Sequence, residues 1–460
     1  MNCFDTIAAV STPRGKGGIA VIRISGENAI EVGERIFSVK LSDVESNRAV
    51  YGHIYFPEAD GNRTRIDDGI ATVFRAPASF TGEDTVELSC HGGALITQTV
   101  LGAALASGAR AATAGEFTRR AFINGKLTLD SSEALGSLLE AKSFAQMRLA
   151  SSGMRGRLGE SCDAIYVSLR DVCSELSAGI DFPEEDLGIM SDEELREKLA
   201  ASLERAVSLA KTYTTGRAVA EGIPTVICGK TNSGKSSLYN MLVGENAAIV
   251  TDIEGTTRDV LRDTVSFGGV TLSLADTAGL RDTDDPVERI GIERAYGELE
   301  RAELILGVID SSSDVTDGDV TFFERIKKFP AYKIAILNKC DLDTNENARK
   351  LTEGFDVTLS LSAKTGEGKE TLEKAISDAF IDGSIDLDND AVVVNERQYG
   401  ALVRAVECLR SALSVLDAGY ETELVCSDVE SAMEGLASLT GRAVSEDIVS
   451  GIFSKFCVGK

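Results

Sequence analysis

Between residues 221 and 380 five short apolar runs recur: PTVICG, VTLSLAD, LILGVID, KIAILN and VTLSLSA. Each leads into a loop and then a helix-like pattern. Strand, loop and helix in alternation give parallel strands, because each helical crossover returns the chain to the same end of the sheet. The predicted result is a doubly wound α/β sheet with helices on both faces.

The flanks differ. Residues 1–126 read as α+β: GGIAVIRISG and DDGIATVFRA are short and β-rich, DTVELSC alternates, and HGG opens an Ala/Leu-rich helix. Residues 127–220 and 381–460 read as helical. Ser191 and Glu194 form a capping box, and Leu195, Leu199, Leu203 and Val207 follow at every fourth position, a single face. DFPEED is an acidic loop before that helix, and a Gly-Tyr break falls near position 420. The simplest multidomain reading inserts the α/β domain, 221–380, into a helical domain made of 127–220 and 381–460. Its two pieces fold together because an insertion needs neighbouring entry and exit points.

Composition restricts function. A chain of 460 residues, 43% apolar, has material for about three domains. Its net charge of −26 argues against broad adhesion to nucleic acid or anionic membranes. Residues 1–126 hold 13 Lys/Arg and 14 Asp/Glu, so the other residues carry −25 of that charge. Nine cysteines without C-x-x-C pairs and only two histidines, His53 and His91, give no zinc spacing. No apolar run reaches membrane-spanning length, and the start has no apolar signal core, so a reduced cytoplasmic protein is expected.

The sequence GKTNSGKS, residues 229–236, fits G-x-x-x-x-G-K-[ST] after one strand and before a helix. Its backbone N–H groups suit phosphate oxygens, with Asn232, Ser233, Gly234, Lys235, Ser236 and Ser237 at the nucleotide. Lys235 supplies a point charge to the β- and γ-phosphates, and the Ser236 hydroxyl is a Mg²⁺ ligand. DTAG follows a strand: Asp276 is placed to hold Mg²⁺ through water, beside Thr277, Ala278 and the Gly279 N–H. In the next motif, Asn338, Lys339 and Asp341, the Asp341 carboxylate accepts the two donors that guanine has and adenine lacks. Ser362, Ala363 and Lys364 follow the last strand, where the Ala363 N–H backs the guanine. The intervening loop, Thr251, Asp252, Ile253, Glu254, Gly255, Thr256 and Thr257, offers Thr257 as a second Mg²⁺ hydroxyl. Together these motifs indicate a GTP/GDP-binding hydrolase.

The residue after DTAG is Leu280, which cannot orient an attacking water as the glutamine often found there does. Glu288 or a cation are the alternatives; Glu288 also reads as a solvated helix-start carboxylate. Cys457 lies beside a flexible glycine and Lys460, where a cation would lower its pKa, or it is incidental to a helix end packed by Phe453 and Phe456. His91, at a strand-to-helix turn, reads as structural. Arg119 and Arg120 read as a solvated helix face, or as contacts to an anionic partner.

On these residues the chain resembles the MnmE (TrmE) family of bacterial tRNA-modification GTPases. The resemblance rests on DTIAAVSTPRGKGGIAVIRISG, SFTGEDTVELSCHGG, AGEFTRRAFINGKLTLDSSEAL, DFPEED, TNSGKSS, TDIEGTTRD, DTAGLRDTDDPVERIGIERA and FCVGK, which span nearly the whole chain. It implies an N-terminal folate-binding and dimerisation domain, a helical domain and an inserted Ras-like P-loop G domain. It implies action with the FAD-dependent flavoprotein MnmG (GidA), as a heterotetramer, on C5 of the wobble uridine U34 of certain tRNAs. The added group is aminomethyl or carboxymethylaminomethyl, with its one-carbon unit drawn from 5-formyl- or methylene-tetrahydrofolate.

Folate contacts then fall at Arg23, Glu87, Lys126 and Lys460, with Cys457 near the folate as a catalytic candidate. The resemblance extends to TrmE-Era-EngA-like potassium-activated GTPases. It places K⁺ at Asn232, Thr251, Ile253 and Thr256, the water-orienting carboxylate at Glu288, and G-domain closure in a homodimer. The alternative is a ribosome-assembly GTPase acting as an RNA-binding switch; it would normally bring a basic RNA-binding module, which the acidic remainder lacks.

Overall fold

The computed structural model describes residues 5–13, 15–181, 190–244, 263–275, 297–343, 345–420 and 422–459. The chain forms two compact units, one of Met1–Gly136 with Ala437–Lys460, the other of Ser137–Leu436.

The first unit is built on a six-stranded sheet: β1 (Ile7–Val10), β2 (Ile19–Ser25), β3 (Arg48–Pro57), β4 (Arg63–Phe74), β5 (Thr85–His91) and β6 (Arg110–Ala111). Their spatial order is β3-β4-β5-β2-β1-β6, antiparallel except for β1 with β6. Alternation decides the faces. Ile22, Ile24, Ala71, Val73, Val86 and Leu88 point into a core closed by the helices Ala29–Ile36 and Ala94–Ala106. Burying such side chains contributes roughly 1.5–3 kcal/mol each. The opposite face carries Arg23 and Glu87, cross-strand partners on β2 and β5, and the exposed Tyr51 and Ile70, partners on β3 and β4. The three expected strand segments are β2, β4 and β5; the sequence reading did not single out β1, β3 or β6.

In the second unit a sheet of order β12-β11-β10-β7-β9-β8 holds β7 (Ile223–Cys228), β8 (Asp263–Phe267), β9 (Val270–Ala275), β10 (Leu304–Asp310), β11 (Tyr332–Asn338) and β12 (Val357–Leu361). The five expected runs are the five parallel strands, and the sheet is the doubly wound type. Leu304, Ile305, Leu306 and Val308 are wholly buried, because helices cover both faces. Lys235–Val243 and Lys369–Phe380 pack on one face; Asp317–Ile326 packs on the other. The added edge strand β8 is antiparallel to β9. Its two-residue turn is Gly268-Gly269, with φ of +61° and +80°, which a tight hairpin of this hand needs at both positions.

Helices flank this sheet in sequence: Phe144–Met154, Arg157–Asp181, Asp192–Lys211 and Tyr213–Ala220 before it, Glu396–Asp417 after it. Asp192–Lys211 packs along Glu396–Asp417, so segments from either side of the G domain meet in one helical layer. The Ser191 capping box is present in full. The buried stripe drifts from Leu195 and Leu199 to Ser202 and Ala206, leaving Leu203 and Val207 half-buried. A four-residue repeat overshoots the 3.6-residue turn, which explains the drift. Among the described residues no helix is long and apolar enough to cross a membrane.

Candidate functional site

The phosphate loop follows β7 at the centre of the second sheet and runs into the helix Lys235–Val243. Gly229 passes so close to β10 that a Cβ there would sit 2.3 Å from the Val308 carbonyl oxygen. Asn232, at φ +62°, and Gly234, at φ +98°, turn the chain back toward the helix start. Lys235 Nζ donates to the Lys230 carbonyl at 2.7 Å, so the ammonium lies across the loop. Ser236 and Ser237 are exposed in the helix's first turn, where N–H groups lack helical partners and favour an anion.

Asn338, at the end of β11, joins two motifs. Its Nδ2 donates to the Ser233 carbonyl at 2.8 Å, and its Oδ1 accepts from the Ala363 N–H at 3.0 Å. Its own carbonyl accepts from the Ser311 N–H and hydroxyl, at 3.0 and 2.7 Å. The side chain is thus a buried brace between the phosphate loop and the turn at 362–364. The Ala363 N–H, expected to back a guanine, is here engaged by Asn338.

Ser362 is wholly buried, and its hydroxyl accepts from the Thr365 N–H at 3.3 Å. Lys364 is exposed. Lys339 sits at φ +65° and its ammonium holds Asp310. Burial would raise the Asp310 carboxyl, but Lys339 and the Ser312 and Ser313 hydroxyls bring it down to about 2. Asp341 is exposed two residues on, able to accept donors from a planar base.

Thr251, Asp252, Ile253, Glu254, Gly255, Thr256 and Thr257 lie outside the described residues, as do Asp276, Thr277, Ala278, Gly279, Leu280, Glu288 and Lys460.

Ser233 gives a stability test. Its buried Oγ has no hydrogen-bond partner among the described residues. A buried orphan hydroxyl costs roughly 1–3 kcal/mol. Ser233→Ala is therefore expected to raise the urea stability of the second unit by about 1 kcal/mol. A drop of that size would mean that the hydroxyl is bonded.

In the first unit, Arg23 Nε donates to Glu87 Oε1 at 2.8 Å. The Arg23 guanidinium carbon lies 5.4 Å from the Phe80 ring centroid and 5.6 Å from that of Phe117. Lys126 Nζ donates to the Pro77 carbonyl at 3.0 Å, so Arg23 and Lys126 both meet the loop between β4 and β5. The C-terminal tail belongs to the same unit. Val458 bridges Ala114, and the Cys457 carbonyl accepts from the Gly115 N–H at 3.5 Å. The Gly459 carbonyl accepts from Ser11 Oγ at 3.0 Å. Gly459 is at φ +103°, where a Cβ would meet the Val10 carbonyl oxygen at 2.1 Å. Cys457 is exposed, while Phe453 is buried with Leu129 and Val449 against Phe122 and Phe456. By contrast, burial pushes the Cys228 thiol up to about 12, which keeps it protonated.

Two readings are corrected. Arg120 is not on a solvated face: its side chain is 6% exposed and bonds Asp5, Glu83 and Glu116. Arg119 pairs with Glu446. His91 is tied structurally, as expected, with its Nδ1 2.7 Å from Asp67 Oδ1 and its N–H on the same carboxylate. The sequence reading missed Asp310, Phe80 and the Arg120 cluster. A K-[TS]-N-S-G-K context carries no mark of Asp310, but an aromatic beside T-G-E-D between two strands was a usable signal for Phe80.

Comparison with known proteins adds the family. The model described as "MnmE helical domain" matches residues 129–457, and that described as "GTP-binding protein TrmE N-terminus" matches residues 6–126. The tRNA modification GTPase MnmE of Symbiobacterium thermophilum is 42% identical over 462 residues, covering 99% of this chain and 99% of that protein. The protein of the same description from Geobacillus kaustophilus is 40% identical over 468 residues, covering 100% of each. A crystal structure of an Aquifex aeolicus Era variant bound to GDP·AlF4⁻ is 24% identical, covers 40% of this chain and 65% of its own, and has a TM-score of 0.29. With a family model spanning well over half of its residues and relatives matching along its full length, the chain belongs to the MnmE family of tRNA modification GTPases.

Proposed function

We propose that this chain hydrolyses GTP in the service of tRNA modification, working with the flavoprotein MnmG on C5 of the wobble uridine. The observation that carries the hydrolase half is the Asn338 brace, which fixes the phosphate loop and the turn at 362–364 to one side chain. Backbone N–H groups at 229–235 and the Lys235 ammonium take the phosphates. Asp341 accepts the guanine ring N–H and amine, a donor pair absent from adenine. The full-length likeness to proteins described as tRNA modification GTPases supports the second half.

The donor set fits the expected ions and cofactor. Ser236 is an exposed hydroxyl at the helix start, suited to Mg²⁺, with Thr257 as its proposed companion. Asn232 is exposed on the left-handed turn, suited to K⁺, with Thr251, Ile253 and Thr256. Bound there, these cations supply positive charge at the β- and γ-phosphates. Glu288 is the proposed water-orienting carboxylate, since Leu280 has no polar atom to offer. In the first unit Arg23 and Glu87 form a paired, partly exposed cation and carboxylate on one sheet face, and Lys126 adds a second cation at the loop between β4 and β5. These suit a tetrahydrofolate, which offers carboxylates and N–H donors, with Lys460 and Cys457 contributed by the tail. The working assembly on this reading is a cytoplasmic homodimer joined by MnmG.

The test is the nucleoside profile of tRNA from a strain lacking this gene, with and without the restored chain. Loss of the wobble-uridine modification, regained on restoration, is expected. Unchanged nucleosides together with defective ribosomal subunits would replace this reading with that of an assembly GTPase.

A further inference from the structure

The loop from 75 to 84, between β4 and β5, presents a phenylalanine to solvent on an unusually well-tied backbone. Phe80 is 37% exposed, although it sits among buried hydroxyls. Ser79 Oγ donates to the Glu83 carbonyl at 2.5 Å, and Asn124 Nδ2 donates to the Thr81 carbonyl at 2.8 Å. Ser25 Oγ lies 2.8 Å from Thr81 Oγ1 and 2.9 Å from Glu83 Oε2, while Arg120 holds Glu83 from the helix Glu116–Ile123. Lys126 ties Pro77. Fixing a loop this firmly removes the entropy that ordering would otherwise cost on binding.

What the loop holds in place is chemically specific. Arg23 meets both the buried Phe117 ring and the exposed Phe80 ring, with its Nε on Glu87. The guanidinium is thereby fixed, and one edge of the arrangement is an accessible aromatic surface beside a carboxylate. An apolar side chain whose sole task was to shield Arg23 would be better buried. An exposed flat ring next to an acceptor suits a flat, nitrogen-rich heteroaromatic ligand whose N–H groups reach the carboxylate.

We propose that Phe80 is the stacking surface for the ring of the ligand held by Arg23 and Glu87. This rests on the folate reading, in which that ring is a pterin. Phe80 then governs affinity for the ring system, separately from the cations that meet the ligand's carboxylates.

The chain contains no tryptophan, so Phe80→Trp introduces a single reporter at the site. Full-length wild type, Phe80→Leu and Phe80→Trp are titrated with 5-formyltetrahydrofolate by calorimetry, and the emission of Phe80→Trp is followed with free N-acetyltryptophanamide as the absorption control. Phe80→Leu, which keeps an apolar side chain, is expected to bind about tenfold more weakly, a typical loss for one aromatic stack. Phe80→Trp is expected to bind within about threefold of wild type, with its emission quenched beyond the control. Equal affinity of Phe80→Leu and wild type overturns the inference, as does retained binding by Phe80→Trp without quenching. Absence of binding to the wild type overturns the folate reading itself, and the inference falls with it.

Discussion

Gly234→Ala is expected to weaken GTP binding about a hundredfold. Gly234 adopts φ +98°, a conformation that costs an L side chain about 1–3 kcal/mol. The added methyl would lie 2.0 Å from Asn338 Nδ2, closer than any contact can be, so Asn338 must move. Moving it breaks the bond to the Ser233 carbonyl and disturbs the one from Ala363. A buried amide left unpaired adds roughly 1–3 kcal/mol. The two costs together come to about 2–6 kcal/mol, a range that includes the roughly 2.7 kcal/mol corresponding to about a hundredfold. Titration of a fluorescent guanine nucleotide measures the loss, with far-ultraviolet circular dichroism checking that the chain is folded. Affinity within threefold of wild type would show that Asn338 does not link the two motifs.

The other large effect lies in the first unit. Arg120→Met is expected to destabilise that unit by about 3–5 kcal/mol, the usual result of removing one partner from a buried ionic cluster. Arg120 donates to Asp5 Oδ1 at 2.6 Å, to the Asp5 carbonyl at 2.8 Å, to Glu83 at 3.2 Å and to Glu116 at 3.2 Å. Only Arg110, bonded to Asp5 and Glu116, would remain against those carboxylates within the cluster. Burial pushes the Glu116 carboxyl up, but Arg110, the Thr113 N–H and Arg120 outweigh it and bring it to about 2.

A folded-state pKa below the unfolded value means that the stabilisation is complete above about pH 4.5 and is lost as the pH falls toward 2. Asp5 is lowered in the same direction, chiefly by its bond to Arg110. Wild type should therefore lose stability across that window. In Arg120→Met the deficit should shrink there, because protonated carboxylates no longer need the missing cation. Urea midpoints at pH 7, 5 and 3 measure both effects. A deficit that stays constant to pH 3 would mean that Met fails through packing, not charge.

The parallel strands were legible because burial on both faces leaves an unbroken apolar run, as in LILGVID. The capping box at Ser191 was legible because its two partners are three residues apart. β8 was missed because DTVSF has only Val265 and Phe267 as apolar residues, although the Gly-Gly pair between two alternating segments marks the hairpin. Arg120 was misread for a different reason. Two adjacent arginines on a helix look solvated; Glu116 is one turn back on the same helix as Arg120, but Asp5 and Glu83, which complete its burial, come from distant positions that only the fold brings together. The same holds for Asn338: its motif identifies a base-recognition segment, but its role as a brace depends on a carbonyl at 233 and an N–H at 363. Local spacing reveals chemistry carried by neighbours; it does not reveal groups assembled from distant segments.

The hold of Ser11 on Gly459, and of Ala114 on Val458, has a bearing on biosynthesis. A ribosome delivers β1 early and its tail partner only after the whole second unit has been made. Until then the edge that will receive Val458 and Gly459 stays open, a period in which a holdase or a second nascent chain can reach it. Closure of that edge of the first unit is thereby timed to the synthesis of Val458 and Gly459.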